Sequence, residues 1–283
     1  MSANKWQAFC ASAAGMNAQN AIIPDVSQGK AASAAEFNRI AREMGLDPAN
    51  QWVGGYVDYE WEHLRHVLTA YGLKPEGRQA LEFGCNYGAS SIVMARLGAQ
   101  VTGVDVDEGN VRLANANIAQ HDLADRVQAL HVADTRSMPF ADGQFDLAIA
   151  NSVLEYVDPA QLDAVMAELH RVMQPGGELL VLGTASRLSP CEVHSRRWLV
   201  NYMPRAMDRL FGTSFQRGLS PLLLAKTLRG RFEVVSRESW IAARIALHGQ
   251  ASLPVRTINS VAEAIDIAPG WLSPNIELLL RRI

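Results

Sequence analysis

The sequence encodes a doubly wound, mainly parallel α/β sheet, and two features carry that reading. From Ala80 to Thr184, short apolar runs alternate with helical segments: "ALEF", "ASSIVMARLG", "QVTGVDV", "EGNVRLANANIAQ", "RVQALHVAD", "QFDLAIANSV", "AQLDAVMAELHRVM" and "GELLVLGT". Strands that alternate with helices pair in parallel and carry helices on both faces of the sheet. After the alternation stops, "RFEVVSRES" and the terminal "NIELLLRRI" supply two further strands.

Taken in order, residues 1–55 are rich in Ala, Asn, Gln and Ser, punctuated by Pro24, Gly29, Gly45 and Pro48, and are expected to form an arm or helical cap. In "YVDYEWEHLRHVLTAYG", Val57, Trp61, Leu64, Leu68 and Tyr71 recur at three- and four-residue steps, which predicts an amphipathic helix ended by Gly72. That helix opens a core spanning 56–184. Pro175 cannot extend the helix before it, and Gly176 and Gly177 allow a sharp turn into the fifth strand. Residues 185–230 read as broken helices interrupted by Pro204, an insertion placed to act as a lid. Residues 231–283 complete the sheet, with a connection from Trp240 to Pro274 too long for a hairpin.

Composition narrows the function classes. The 283 residues are 48% hydrophobic and 19% charged, with a net charge of −3, which gives no general attraction to nucleic acid or to an anionic membrane. Cys10, Cys85 and Cys191 lie far apart, with no pair at metal-ligand spacing, so neither a metal site nor a closed disulfide framework is expected. A reducing cytoplasm is the expected setting. The N-terminus fits a secretory signal poorly, and no run of about 18 apolar residues is present to span a bilayer.

In an open parallel sheet, ligands sit beyond the carboxyl ends of the strands. Four such ends carry polar groups: Glu82, Gly84, Asn86 and Gly88 after the first strand, Asp105 after the second, Asp134 after the third, and Asn151 with Ser152 after the fourth. Asp105 lies 17 positions beyond Gly88, the length of one β-α-β unit, where an acid can accept both hydroxyls of a ribose. Asp107 is placed to cap the next helix. The loop "GCNYG" is not the G-x-G-x-x-G of a dinucleotide site. Glu82 would repel a pyrophosphate but face a cation well, so the loop matches a cofactor with an ammonium group and no phosphate. Asn86 can occupy a left-handed turn position that usually takes glycine, either touching ligand or only shaping the turn.

Together "LEFGCNYG", "VTGVDVDEG", "HVADTRSMPFADGQFDLAIANSVLEYV" and "LHRVMQPGGELLVLGT" resemble the successive motifs of the class I S-adenosylmethionine-dependent methyltransferases, over roughly Gln79 to Thr184. The family commonly has a third glycine where Asn86 stands. The resemblance implies a seven-stranded Rossmann-like sheet whose last strand is antiparallel. It also implies S-adenosylmethionine as cofactor. Glu82, Phe83, Gly84, Cys85, Asn86 and Gly88 would border its amino-acid end, Asp105 would hold the ribose and Val106 would lie against adenine. Asp134, with Ala133 and Thr135, would meet the adenine amino edge, and Asn151 with Ser152 the methionine part.

Bland alternatives stand beside these roles. Glu82 could serve only its own loop, Asp134 could be a turn former, and Cys85 reads as a small buried residue rather than a nucleophile. Methyl transfer from a sulfonium depends mainly on positioning, and a general base matters chiefly when the acceptor is a hydroxyl. The base candidates are His194 in "CEVHSRRW" and Glu155, with His63 and His66 on the helix from Tyr56 as further possibilities; His131 and His170 look structural. Tyr56, Tyr59, Arg197 and Trp198 are candidate acceptor contacts, with aromatic packing and a charged outer face as the alternatives.

The expectation is a methyltransferase acting at oxygen on a small-molecule or glycan-type acceptor. Contact with a lipid-linked acceptor at a membrane surface is open, as is oligomeric state. A catalytically silent cofactor-binding module and a nicotinamide-dependent oxidoreductase are the rival readings.

Overall fold

A computed structural model of the chain describes residues 31–211 and 215–283. The first thirty residues of the expected arm, with Cys10, lie outside the described residues. Seven strands, β1 (Gln79–Phe83), β2 (Gln100–Asp105), β3 (Val127–His131), β4 (Phe145–Asn151), β5 (Met173–Ala185), β6 (Phe232–Val235) and β7 (Asn275–Arg282), form one sheet in the order β3-β2-β1-β4-β5-β7-β6. The first five pair in parallel, and β7 runs antiparallel between β5 and β6. The order reverses between β1 and β4, which opens a crevice beyond their carboxyl ends.

Strand periodicity divides the core into two layers. Ala80, Leu147, Ile149, Leu180 and Leu182 face one cluster, while Leu81, Ala148, Ala150, Leu179 and Val181 face the other. Successive strand side chains point to opposite faces, and both faces are covered, so these strands are apolar throughout. The first layer is closed by α2 (Tyr56–Ala70), α3 (Ala89–Arg96), α4 (Glu108–Gln120) and α8 (Ser239–His248). The second is closed by α5 (Leu162–Val172) and α7 (Pro221–Leu228).

The part of the N-terminal cap within the described residues is α1 (Ala31–Glu43), which buries Phe37, Ile40 and Ala41, spaced three and one apart, against Leu113 and Ala116 of α4. In α2 the buried positions are Val57, Glu60, Leu64, Val67 and Leu68. Trp61, expected on the buried stripe, is half-buried, and Glu60 stands on that stripe instead.

The fifth strand starts earlier than the sequence pattern suggests. Met173 pairs with Phe145 and Glu178 with Leu147, so Gln174 to Gly177 loop out of the ladder between those pairings. Pro175 has no N–H to give the ladder, which explains a bulge there.

Between β5 and β6, single turns at Val200–Tyr202 and Arg205–Met207 and the short α6 (Asp208–Phe211) precede α7, the broken pattern expected around Pro204. Buried Asn201 ties this segment together: its amide donates to the Ser186 and Ser189 carbonyls at 3.3 and 2.8 Å and accepts from the Gly218 N–H at 2.9 Å. The long connection after β6 is helical, holding α8 and α9 (Leu253–Ala264). Among the described residues, no helix is long and apolar enough to cross a membrane.

Candidate functional site

A cleft of about 660 Å³ opens at the carboxyl ends of β1, β2 and β4, within the range of about 300–1,000 Å³ usual for small-molecule sites. Gly84, Cys85 and Asn86 of the loop after β1 line it. The N–H groups of Gly84 and Cys85 both donate to the Val104 carbonyl at 2.9 Å, which pins the loop to the end of β2. Asn86 has φ +46°, the left-handed conformation expected of it, and its N–H donates to Asp105 Oδ2 at 2.9 Å.

Gly84 has φ +76°, and a Cβ there would lie 2.2 Å from Val153 Cγ2. Gly84→Ala should therefore cost about 1–3 kcal/mol of stability through overpacking alone, before backbone strain. A lowered melting temperature and weaker ligand binding, both partly restored by adding Val153→Ala, are the expected results in thermal unfolding and calorimetry.

Asp105 is buried and organises the second edge. Its Oδ1 accepts from the Asp107 N–H at 2.9 Å and from Asn110 Nδ2 at 3.3 Å, while Oδ2 holds the Asn86 N–H. Each carboxylate oxygen has more than one acceptor direction, so the group can tether the loop and still accept from a ligand hydroxyl. Asp107 caps α4 by accepting from the Asn110 N–H at 2.9 Å, as its spacing suggested. Asp134 is half-exposed and paired bidentately with Arg136, whose guanidinium holds its carboxyl down at about 2.

Glu82 is buried at the end of β1 and accepts from the Ser91 hydroxyl. Burial, with Glu60 as a neighbouring acid, pushes its carboxyl up to about 8 against the opposing hydroxyl bonds. Asn151 Nδ2 donates to Ser90 Oγ at 3.2 Å, and Ser152, at φ +52°, donates its N–H to the Leu182 carbonyl. Burial pushes the Cys85 thiol well up, which disfavours the thiolate that a nucleophile would need.

The two base candidates, 39 residues apart in the chain, are brought together. His194 Nε2 lies 2.9 Å from Glu155 Oε1, an oxygen that also accepts the Ala185 N–H at 3.2 Å. The Glu155 side chain is fully buried and that of His194 is one-third exposed. The bond to Glu155 raises the His194 imidazole above its ordinary value, outweighing burial. Glu155 Oε2 is buried without a partner. The pair stands just behind the cleft rim: Val153 and Tyr156 line the cleft, and the Tyr156 ring is 5.9 Å from that of His194.

Twelve of the thirteen positions expected at the cofactor line the cleft, the exception being Gly88, which starts α3 at φ +78°. Of the expected acceptor contacts, Tyr56 lines it. Tyr59 instead packs between Trp52 and His63, at ring separations of 5.0 and 5.5 Å. Arg197 sits 5.0 Å over the Phe215 ring, and Trp198 is half-exposed with its backbone bridged to Cys191, so neither is brought into the cleft. His63 is a poor base, held down at about 4 by burial and by Arg244. Ser90, Asn110, Arg136, Tyr156, Asp158 and Gln161 line the cleft without having been singled out. Of these, Tyr156 was within reach of sequence reasoning, since it adjoins Glu155 after the fourth strand.

Residues 81–181 match the family described as methyltransferase domain. A ubiquinone biosynthesis O-methyltransferase of Psychrobacter arcticus is 31% identical over 185 residues, which cover 60% of this chain and 68% of that protein. The chain belongs to the class I S-adenosylmethionine-dependent methyltransferases. The sterol 4-C-methyltransferase strm-1 of Caenorhabditis elegans is 36% identical over 106 residues, 38% of this methyltransferase, which thus spans about a third (31%) of the nematode protein's length. The fold is also that of the [4+2]-cyclase SpnF, with a TM-score of 0.51 at 21% identity over 94% of this chain and 98% of that one.

S-Adenosylmethionine is the cofactor of this methyltransferase, and the cleft's donor set fits it. Its lining combines two buried acids, Glu82 and Asp105, with the exposed side chain of Val106, groups suited to an ammonium, a diol and an apolar ring. No phosphate cradle is needed, and the two acids would oppose one.

Proposed function

We propose that this methyltransferase alkylates the oxygen of a small hydroxyl-bearing acceptor, with Glu155 and His194 as the unit that removes the hydroxyl proton. The observation that carries the reading is the 2.9 Å His194–Glu155 contact behind the cleft rim. In the tautomer with Nε2–H donated to Glu155, Nδ1 is the free acceptor, and the buried carboxylate stabilises the imidazolium that forms as the proton arrives. The bound cofactor supplies an electrophilic methyl on a sulfonium, a good leaving group. Its ribose falls to Asp105, its adenine to Val106 and the run Ala133, Asp134 and Thr135, and its amino-acid end to Glu82, Asn151 and the loop from Gly84.

Relatives with both O- and C-methyltransferase names match this chain. A carbon acceptor attacking through a π bond has no hydroxyl proton to lose first, so a preassembled base favours oxygen. Incubation with methyl-labelled S-adenosylmethionine and extracts, phenols, aliphatic alcohols and sugars tests this, with the product methyl assigned by its carbon shift. An O-methyl product is expected. A C- or N-methyl product overturns the oxygen assignment, and cofactor binding with no methylated product favours a binding module.

Residues 185–230 would then be the acceptor-facing lid of a core running from 56 to 184. That segment carries eight Arg and Lys against two Asp and Glu, a net of +6 in a chain whose total is −3. Trp198, Leu199, Tyr202 and Leu210 are exposed on it beside Arg196, Arg197 and Arg209. Basic and aromatic groups together suit an anionic lipid surface that delivers an apolar acceptor. In vesicle flotation, binding to phosphatidylglycerol vesicles that weakens between 50 and 500 mM salt is the expected result; equal recovery with neutral vesicles would remove the charge argument.

A further inference from the structure

The proton-transfer pair leaves one buried acid of the insertion without a role. Glu192 is 0% exposed and stands two residues before His194, in a stretch closed into a small loop. Cys191 bridges Trp198 antiparallel, the Glu192 N–H donates to the Arg197 carbonyl at 2.9 Å, and the Leu199 N–H donates to the Pro190 carbonyl at 2.7 Å, so both legs of the loop are fixed. At its tip the Glu192 carboxylate folds back on the chain: Oε1 accepts from the His194 N–H at 3.2 Å and Oε2 from the Ser195 N–H at 2.6 Å. One acid thus holds His194 by its backbone, while another, Glu155 on the turn after β4, holds its ring. Gln216 Nε2 donates to the Glu155 carbonyl at 3.3 Å, a second link between the insertion and that turn.

An ordinary turn does not need this arrangement. Asn, Ser or Asp accepts such N–H groups at the surface, whereas a fully buried acid is costly unless it is paired or hydrogen-bonded. Among the described residues no ion pair reaches Glu192, so its two backbone bonds are what keep it there. The loop also carries backbone strain: Arg196 sits at φ +55° and Leu199 at φ +63°, left-handed conformations in which a non-glycine residue persists only where its surroundings enforce it. Strain two and five residues after His194 marks a loop shaped for what it presents. The titratable groups facing His194 are Glu155 and Tyr156 on the turn after β4 and Glu192 on its own loop. Glu155 first, and then Glu192, favour the charged imidazole against the opposing effect of burial.

We propose that Glu192 is a positioning residue of methyl transfer: by gripping the two N–H groups at the loop tip it sets His194 Nε2 against Glu155 and leaves Nδ1 to take the proton of the acceptor hydroxyl. The inference rests on the His194–Glu155 pair as the base. Without that grip the tip turns freely, the ring leaves Glu155 and both neutral tautomers become populated, so proton removal slows. The cofactor cleft, which Glu192 does not line, keeps its affinity.

The first test needs no acceptor: long-range proton–nitrogen NMR of the full chain carrying nitrogen-labelled histidine, with the His194 signals assigned by their loss in His194→Gln. In wild type the neutral His194 ring should carry its proton on Nε2 and titrate above the ordinary value of about 6.5. In Glu192→Ala the two tautomers should mix and the midpoint should fall. Glu192→Gln, which keeps one acceptor oxygen but no charge, should lie between. An unchanged tautomer and midpoint in Glu192→Ala overturn the proposal. If Glu192→Ala does not fold, Glu192→Gln decides by its tautomer, which the lost charge alone does not mix; a ring still wholly protonated on Nε2 overturns the proposal. The second test is single-turnover transfer to whichever of the phenols, alcohols and sugars is methylated at oxygen. Glu192→Ala should be slower by about tenfold or more, with the dissociation constant for S-adenosylmethionine within about twofold. Slow transfer in His194→Ala beside a wild-type rate in Glu192→Ala overturns the positioning role alone, whereas wild-type rates in both overturn the base assignment beneath it as well.

Discussion

His194→Ala should lower kcat by about 10²-fold or more, the range in which a positioned general base contributes, while leaving the dissociation constant for S-adenosylmethionine within about twofold. The two parameters separate because His194 stands behind the rim at Tyr156, not among the residues lining the cleft. Glu155 acts through His194, so Glu155→Gln has a different signature. In wild type, kcat should rise with pH as the imidazole loses its proton, with a midpoint above the ordinary histidine value because the Glu155 carboxylate stabilises the charged ring. Removing that carboxylate should move the midpoint down and lower the plateau. A pH profile unchanged in Glu155→Gln, measured in single-turnover transfer, would leave the pair as a structural tie between the insertion and the turn after β4.

Asp105→Ala should weaken S-adenosylmethionine binding by more than tenfold, about 1.4 kcal/mol or more. Two losses would combine: the acceptor proposed for the ribose hydroxyls, and the tether that holds the Asn86 N–H at 2.9 Å and so fixes the loop after β1. Hydrogen bonds to a charged group contribute about 1.5–3 kcal/mol each, so either loss alone approaches the expected effect. Asp105→Asn distinguishes them, since its amide oxygen can keep the tether while its charge is gone. Affinity unchanged in Asp105→Ala, read by calorimetry, would take Asp105 out of the ribose site.

The sheet and the loop after β1 were legible because their signals are local. Strand runs that are apolar on both faces, such as Leu147 to Ala150, announce a covered parallel sheet, and polar residues at strand ends announce a crevice. Asp105 and Glu82 were readable for that reason, and the left-handed turn at Asn86 followed from its residue type. What was not legible depends on where separate segments meet. Glu60 lies three residues after Val57 and four before Leu64, on the buried stripe of α2, yet an acid in an amphipathic helix reads as solvent-facing until the packing of that helix is seen. His194 and Glu155 were named separately, and nothing in the sequence shows that the insertion folds back to join them. Arg197 and Trp198 suggested an acceptor site by composition, whereas the Phe215 ring and the bridge to Cys191 hold them on the insertion. The bulge from Gln174 to Gly177 escaped because a Pro-Gly-Gly run fits a turn before a strand as well as a bulge within one.

We propose that one cleft seats S-adenosylmethionine with its transferable methyl turned toward the His194–Glu155 pair. A crystal structure of the complex with S-adenosylhomocysteine tests it most directly. The expected result is ribose hydroxyls within hydrogen-bond distance of Asp105, the amino group beside Glu82, and the sulfur facing the rim at Tyr156 with room for one acceptor oxygen to reach both it and His194. A sulfur directed away from that rim, so that no acceptor oxygen could contact both, would contradict it.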